Sequence, residues 1–511
     1  MGTFHILNFG CRASQADGAA LKQQLVQAGL QEVLCVEDSA VAILNTCTVT
    51  AAADAEVRQF VRRIHRRNPQ CRILVTGCYA QRAPQEIAQL EGVSWVVGNS
   101  HKHLVSSILR GPGDREMGRS GEPPTNARSS ITAHPPAHPS LVQIMESDGG
   151  LRAAGNEPAI PLSYPPTTRS PDAVSEAPVV HPPDLPVSRS PDPARVFVGA
   201  IADEFHFAPV LADDRTRPTL KIQDGCSARC SFCIIPAVRG QSRSLHPEKI
   251  LDQVRQLVDS GYQEIVLSGI NLGGYGRDLD RRINLLGMVE RILRETSIAR
   301  VRISSIEPMD VSPALIALVR DETRMAKHFH IPLQSGCNRI LRLMNRRYWT
   351  KQYAERILAI HEQTPNAAIG ADVMVGFPGE TDQDHAASLS FIASLPYTYL
   401  HIFPFSARPG TRASTAAGQV NGRVARERSQ EVRAVIAAKR QSFLACQVGR
   451  SLPALSLHEE EEGARVALST NYLKIVLPGS EVPPNRLIEV QIGREVAGTL
   501  YGFAASNGRH S

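Results

Sequence analysis

The sequence lacks the features of a membrane or secreted protein. No apolar run in its 511 residues approaches the roughly 20 residues needed to cross a bilayer. The opening residues, MGTFHILNFG, contain no basic region followed by a long apolar stretch and a small-residue cleavage site. We therefore expect no membrane segment, no membrane partner and a cytoplasmic location.

Cysteine is scarce, with ten in the whole chain. In a reducing compartment such residues are metal ligands or free thiols more often than disulfides. Three of the ten nevertheless lie within GCSARCSFCIIP, where Cys226, Cys230 and Cys233 have the spacing C-x3-C-x2-C. The net charge of +6 is compatible with a nucleic-acid partner without requiring one.

Proline marks the main boundary in the chain. Between Pro112 and Pro193 lie 17 of the 35 prolines, mixed with Ser, Ala, His and Arg and without cysteine. This composition buries too little apolar surface to offset its ordering entropy, so it predicts a disordered linker. We divide the chain into an α/β domain at 1–105, a Pro-rich linker at 106–215, a barrel domain at 216–445 and a small β domain at 446–505.

The first domain follows a parallel α/β pattern. FHILNF, AVAILN and RILVTG read as buried strands, and helical patterns lie between them. Cys11, Cys47 and Cys78 each stand just past one of these strands. Because the carboxyl ends of parallel strands share one edge, the three thiols can converge as ligands. The alternative is that each is a small buried hydrophobe, which is the interpretation we give to Cys35 and Cys71.

The third segment repeats a strand and a helix six times. Its strands are TLKIQDG, EIVLSG, RVRISSIE, KHFHIPLQSG, AIGADVMVG and YLHIFPF. Six βα units predict a partial barrel whose functional loops lie at its carboxyl-terminal face. GCSARCSFC follows the first strand and therefore belongs on that face.

The absence of a fourth cysteine is informative. A closed tetrahedral metal site uses four protein ligands, whereas three thiolates on a 4Fe–4S cluster leave one iron open. The motif after the first barrel strand resembles the signature of the radical S-adenosylmethionine enzymes, in which the cofactor's amino and carboxylate groups hold that open iron. A zinc knuckle or a chance cluster of cysteines would not predict six βα units.

The resemblance also implies positions near the cofactor. It places Phe232 near the adenine and Gly269 near the methionine amino group. Glu307, Gln334 and Asp372 stand at the ends of predicted strands, where they either face cofactor or substrate or are ordinary polar loop residues. No residue is assigned a catalytic role.

Residues 446–505 read as short alternating strands, typical of a small antiparallel barrel. They resemble the TRAM domain, an RNA-binding β-barrel of RNA-modifying enzymes. The acidic run from Glu459 to Glu462 predicts a solvated hairpin turn. The fold class is therefore α/β, with an amino-terminal parallel α/β domain, a partial (βα)6 barrel and a small carboxyl-terminal β-barrel.

Outside the linker, nearly the whole chain resembles the radical S-adenosylmethionine methylthiotransferases. The resemblance implies a second 4Fe–4S cluster on Cys11, Cys47 and Cys78, with S-adenosylmethionine as methyl donor and radical source. It also implies a reductant such as flavodoxin or ferredoxin. The long connection between Asn99 and Thr219 exceeds what this family requires.

Several short sequence segments indicate one branch of that family. NTCTVT, SSIEP, LMNRRY, GFPGET and HIFPFSARPGT resemble the branch that acts on threonylcarbamoyladenosine beside the tRNA anticodon. The implied partner is the tRNA anticodon loop, and the implied product is the 2-methylthio derivative. Alternatives are the branches acting on isopentenyladenosine or on a ribosomal-protein aspartate. An iron–sulfur electron-transfer protein and a non-catalytic RNA-binding protein are alternatives of other classes.

Overall fold

The computed structural model describes residues 2–48, 50–110, 193–202, 216–280 and 283–505. Most of the predicted linker, residues 111–192 and 203–215, lies outside the described residues. Within the described ranges, no helix is both long and apolar enough to cross a membrane.

The first domain is a parallel sheet of six strands in the order β2-β1-β3-β4-β5-β6. Every residue of its third strand is buried, as expected for a sheet covered on both faces. The elements are β1 (Thr3–Asn8), α1 (Arg12–Gln27), β2 (Gln31–Glu32), β3 (Val41–Thr46), α2 (Ala51–Arg67), β4 (Arg72–Gly77), α3 (Cys78–Arg82), α4 (Pro84–Ala88), β5 (Val93–Gly98), α5 (Val105–Arg110) and β6 (Arg195–Phe197).

The last strand of this sheet corrects the predicted linker of 106–215. β6 pairs in parallel with β5, with Trp95 opposite Arg195 and Val97 opposite Phe197. At the other end, α5 continues to Arg110. The linker prediction was too wide at both ends, because two short apolar segments complete the first domain from inside the predicted range.

The second domain has the six predicted parallel strands as a partial barrel, with one short antiparallel strand at its edge. Its two sheets have the orders β10-β9-β7-β8 and β11-β12-β13, and a parallel bridge between Ser305 and His330 joins them. The elements are β7 (Thr219–Asp224), α6 (Ile235–Arg239), β8 (Arg243–Ser244), α7 (Pro247–Asp259), β9 (Glu264–Gly269), α8 (Leu285–Glu295), β10 (Arg300–Ile303), α9 (Pro313–Asp321), β11 (His328–His330), α10 (Asn338–Leu343), α11 (Thr350–Gln363), β12 (Ala368–Val375), α12 (Asp382–Ser394), β13 (Tyr399–Pro404) and α13 (Gly422–Ala445).

The barrel helices follow from their sequences. In α8, Leu285, Met288, Val289 and Ile292 recur at spacings of three and four residues and are buried against the barrel. The Asn284 side chain caps this helix by accepting a hydrogen bond from the Gly287 amide at 2.9 Å. Amphipathic helices of this kind cover the strands and leave the strand ends free to carry the site.

The third domain is a closed five-stranded barrel in the order β14-β15-β16-β18-β17. The acidic run lies at the hairpin between its first two strands, but only Glu462 is in the predicted turn, because the other three glutamates end the first strand. Arg302 of β10 fixes this barrel to the second domain by donating to the carbonyls of Ser469 and Thr470, both at 3.2 Å. The strands are β14 (Ser451–Glu461), β15 (Ala464–Ser469), β16 (Lys474–Leu477), β17 (Leu487–Val496) and β18 (Thr499–Ala504).

Candidate functional site

A cavity of about 470 Å³ lies where the first domain meets the carboxyl-terminal face of the barrel. All six cysteines singled out in the sequence line it, three from each domain. They are Cys11, Cys47, Cys78, Cys226, Cys230 and Cys233.

The first set of cysteines converges because β1, β3 and β4 are adjacent and parallel. Cys11 directly precedes α1, Cys47 follows β3, and Cys78 is the first residue of α3. Gly10 allows the close approach: its φ is +97°, and a Cβ there would lie 2.3 Å from the Cys47 Cβ. The strand-end positions thus bring together residues distant in sequence.

The second set lies in the loop between β7 and α6. Cys226 Sγ accepts hydrogen bonds from the Ala228 amide at 3.4 Å and from Asn271 Nδ2 at 3.8 Å. The Cys233 amide donates to the Cys230 carbonyl at 3.1 Å, which turns the loop so that it presents its thiols to the cavity.

The sulfur spacing suits a cluster better than a single ion. Neither set brings its three Sγ atoms within 4.8 Å of one another. A lone Zn²⁺ with Zn–S bonds of about 2.3 Å needs sulfurs about 3.8 Å apart. Three thiolates around a larger iron–sulfur cluster tolerate the wider spacing, so both sets fit the group that the sequence predicts.

Positive charge stands beside both sets. Arg346 NH1 donates to Cys230 Sγ at 3.3 Å, and the same guanidinium pairs with Glu307. Arg239 Nε donates to Cys78 Sγ at 3.3 Å. Burial raises the pKa of the Cys226 and Cys233 thiols, so cluster binding must displace their protons.

Four of the five residues predicted near the cofactor line the cavity: Phe232, Gly269, Glu307 and Gln334. The Phe232 ring packs edge-on against Phe377, with centroids 6.3 Å apart. At Gly269 a Cβ would lie 2.9 Å from Gln223 Oε1, so the strand end leaves no space for a side chain.

Two buried acceptors in this cavity have no hydrogen-bond partner among the described residues. They are Gln334 Oε1 and Asn271 Oδ1. Gln334 is held with φ of +64°, a conformation unusual for a residue with a side chain. Unpaired buried acceptors are costly, so they suit a ligand that brings donors.

Asp372, the fifth predicted residue, does not line the cavity. It lies within β12, fully buried, with its carboxylate 3.1 Å from His330 Nε2 and 3.2 Å from His401 Nδ1. Burial raises the pKa of this carboxyl, but the two histidines outweigh that effect and hold the pKa well below its usual value. The His330 ring is fixed in turn by the Tyr399 hydroxyl at 3.0 Å.

Sequence reasoning missed Arg239 and Arg346 as neighbours of the cysteines. The Arg346 side chain is buried and turned toward Cys230. The sequence did contain a signal for Arg346, since it lies in LMNRRY, a segment that resembles one branch of the methylthiotransferases. Only the fold shows that the first of its arginines faces inward and the second outward.

The class of protein follows from this site and two family matches. Residues 220–392 match the Radical SAM superfamily, and residues 3–98 match an uncharacterized protein family, UPF0004. The chain is thus a radical S-adenosylmethionine enzyme with a UPF0004-type domain before the barrel.

Comparison with individual proteins specifies the family within this class. The chain is 33% identical to the threonylcarbamoyladenosine tRNA methylthiotransferase MtaB of Aquifex aeolicus, over 92% of this chain and 95% of the relative. It is 28% identical to the tRNA-2-methylthio-N(6)-dimethylallyladenosine synthase of Moorella thermoacetica, over 98% of both. A solved radical S-adenosylmethionine methyltransferase, TsrM of Kitasatospora setae, matches with a TM-score of 0.49 and 14% identity, covering 81% of this chain and 77% of that one.

The chain therefore belongs to the MtaB-like family of radical S-adenosylmethionine methylthiotransferases. This confirms the predicted family, fold class and cofactors, which are S-adenosylmethionine and two 4Fe–4S clusters.

Proposed function

We propose that this enzyme converts N6-threonylcarbamoyladenosine beside the tRNA anticodon to its 2-methylthio derivative. The observation that carries the proposal is the convergence of two cysteine sets on one cavity in a chain related over nearly its full length to MtaB enzymes. Transfer of a methylthio group to a carbon needs a sulfur source and C–H activation close together, and the shared cavity supports that proximity.

In this proposal each cysteine set holds one cluster. Cys226, Cys230 and Cys233 hold the cluster that binds S-adenosylmethionine, and Cys11, Cys47 and Cys78 hold the auxiliary cluster. When bound, the first cluster and its cofactor supply the one-electron chemistry that activates the substrate carbon. Both sets line one cavity, with one set supplied by the first domain and the other by the barrel domain, and this supports the assignment.

The chain's own residues orient the cofactor. Gln334 Oε1 and Asn271 Oδ1 are the acceptors we assign to the methionyl ammonium group, because both are buried and lack donors. Phe232 and Gly269 supply an apolar wall and a close backbone approach. Arg346, held in place by its ion pair with Glu307, places a positively charged donor against Cys230 Sγ, where a cluster-bound sulfur would carry negative charge.

The tRNA loop is the proposed occupant of the cavity mouth. The exposed arginines of α2, Arg62, Arg63 and Arg66, offer phosphate contacts, as does exposed Arg347 at the cavity rim. We assign RNA binding as well to the terminal barrel, which we propose is TRAM-like. A cytoplasmic location and a flavodoxin- or ferredoxin-type reductant complete the proposal.

The experiment offers purified, reduced enzyme three substrates separately. They are tRNA carrying threonylcarbamoyladenosine, tRNA carrying isopentenyladenosine, and ribosomal protein. We expect an added methylthio mass on the first alone. The similarity to a dimethylallyladenosine synthase makes the second the main competitor. Modification of the second or third, with none on the first, would overturn the proposed substrate and leave the radical chemistry standing.

A further inference from the structure

Arg239 reaches across the domain boundary to a cysteine of the first domain. It is the last residue of α6 in the barrel domain and is 2% exposed. Its Nε donates to Cys78 Sγ at 3.3 Å, its NH1 donates to Asp224 Oδ1 at 2.9 Å, and its NH2 donates to Asp17 Oδ2 at 2.8 Å. With all three nitrogens bonded, the guanidinium has one orientation.

Arg239 lies in a group of charged side chains at the boundary between the two domains. Lys102 and Lys221 join Arg239 as buried cations, and Lys221 contacts both carboxylates. Asp17 and Asp224 are the two acids of this group, and Arg239 contacts both of them. The acids hold the guanidinium in place, so Arg239 presents positive charge directly to the Cys78 sulfur.

The group is divided between the domains. Asp17, Lys102 and Cys78 come from the first domain, whereas Lys221, Asp224 and Arg239 come from the barrel. Asn99 of the first domain also donates to Cys78 Sγ, at 3.5 Å, and to the Val238 carbonyl, at 2.8 Å. The environment of Cys78 is therefore complete only when the two domains are docked.

We propose that Arg239 is a positioning residue that holds the Cys78 sulfur and raises the reduction potential of the auxiliary cluster. Hydrogen bonds to cluster sulfurs and nearby positive charge both favour the reduced, more negative state. The inference rests on the proposed auxiliary cluster at Cys11, Cys47 and Cys78 and is independent of the substrate.

The test uses the full chain with Cys226, Cys230 and Cys233 replaced by Ala, so that only the auxiliary set remains. Arg239→Gln and Asp17→Asn are introduced separately, and the midpoint potential of the reconstituted cluster is measured by redox titration followed by electron paramagnetic resonance. Arg239→Gln should lower the potential and Asp17→Asn should raise it, each by about a tenfold change in the reduction equilibrium, which is about 59 mV for one electron.

A control and two negative outcomes define the result. Arg302→Gln removes another buried guanidinium, away from the cavity, and should leave the potential unchanged. If Arg239→Gln fails to fold, Asp17→Asn decides alone, because a structural role predicts no upward shift. A bound cluster with unchanged potential in the folded variants overturns this inference only. Absence of any cluster in the parent overturns the auxiliary site with it.

Discussion

Arg12 donates a hydrogen bond to the hydroxyl of Tyr472 at 2.9 Å, across 460 residues of sequence. Arg12 lines the cavity, whereas Tyr472 belongs to the terminal barrel, and Arg302 of the second domain lies over the Tyr472 ring at 5.3 Å. One tyrosine thus touches a residue of each other domain. The terminal barrel is consequently fixed beside the cavity.

Tyr472→Phe should weaken the contact between the terminal barrel and the other two domains without removing it. The ring remains for Arg302, but the hydroxyl that accepts from Arg12 is lost, at a cost of about 1.5–3 kcal/mol for a charged hydrogen bond. Urea denaturation should show a lower midpoint. Tyr501→Phe on the same barrel, whose ring lies under Arg494, serves as the control and should change little.

Each cysteine set should account for half of the bound iron. Replacing Cys226, Cys230 and Cys233 by Ala should reduce the iron after anaerobic reconstitution from about eight atoms to about four. Cleavage of S-adenosylmethionine should disappear at the same time. Replacing Cys11, Cys47 and Cys78 instead should also halve the iron but keep that cleavage. Cleavage persisting in the first triple variant would contradict the assignment.

Gln334→Met should weaken binding of S-adenosylmethionine. The variant keeps the side-chain length but removes the unpaired acceptor, so we expect roughly a ten- to hundredfold higher dissociation constant if a charged donor binds there. Equilibrium dialysis of the reconstituted enzyme measures it. Gln253→Met is a matched control, since Gln253 Oε1 is also buried and unpaired but lies outside the cavity. Equal affinity in both variants would exclude Gln334 from the cofactor site.

Glu264 should make stability depend on acid pH. Burial raises its pKa, but Arg302, Arg217 and Arg300 outweigh burial and lower the pKa to about 2. The unfolded value is about 4.3, so the stabilisation is fully present above that pH and is lost as the pH falls toward 2. Glu264→Gln should lower the free energy of unfolding by about 3–5 kcal/mol at neutral pH. The stability of this variant should also depend less on pH in the acid range.

Denaturation midpoints measured from neutral pH down to about pH 3 test the role of Glu264. Asp252→Asn, which breaks an exposed pair with Arg255, is the control and should leave the midpoint almost unchanged. If Glu264→Gln loses stability with falling pH as steeply as the unaltered protein does, other carboxylates must cause the acid unfolding.

Deletion of residues 125–180 should change thermal stability little, because the Pro-rich composition predicts little buried surface there. A deletion extended through Phe197 should destabilise the first domain, since it removes β6 from the edge of the sheet. Thermal melting of the two variants beside the full chain measures the difference. A large loss of stability in the shorter deletion would identify a structured insert.

The two cysteine sets could be predicted from sequence because their signals are local. Cys226, Cys230 and Cys233 lie within one loop, and Cys11 and Cys78 each follow a recognisable strand. Spacing and strand ends therefore sufficed to bring them to one edge. The six barrel strands were predictable for the same reason, as continuous buried runs.

The remaining features depend on tertiary packing. Arg239 and Arg346 look like surface arginines in sequence, and only the docking of elements from distant parts of the chain buries them. Asp372 was expected at a strand end, but β12 continues to Val375 and leaves it inside the barrel. β6 is three residues long, too short for a pattern of alternating polarity to reveal.

The position of β6 also shows that the long Pro-rich stretch interrupts the sequence of the first domain. Before the Pro-rich stretch, α5 of the first domain ends at Arg110, and after it β6 pairs with β5 from Arg195. The elements on both sides of the Pro-rich stretch thus belong to the first domain, so the length of that stretch does not set the distance between the two cysteine sets. A fluorescent protein or an affinity handle inserted there would therefore report on the enzyme without altering the geometry of its cavity.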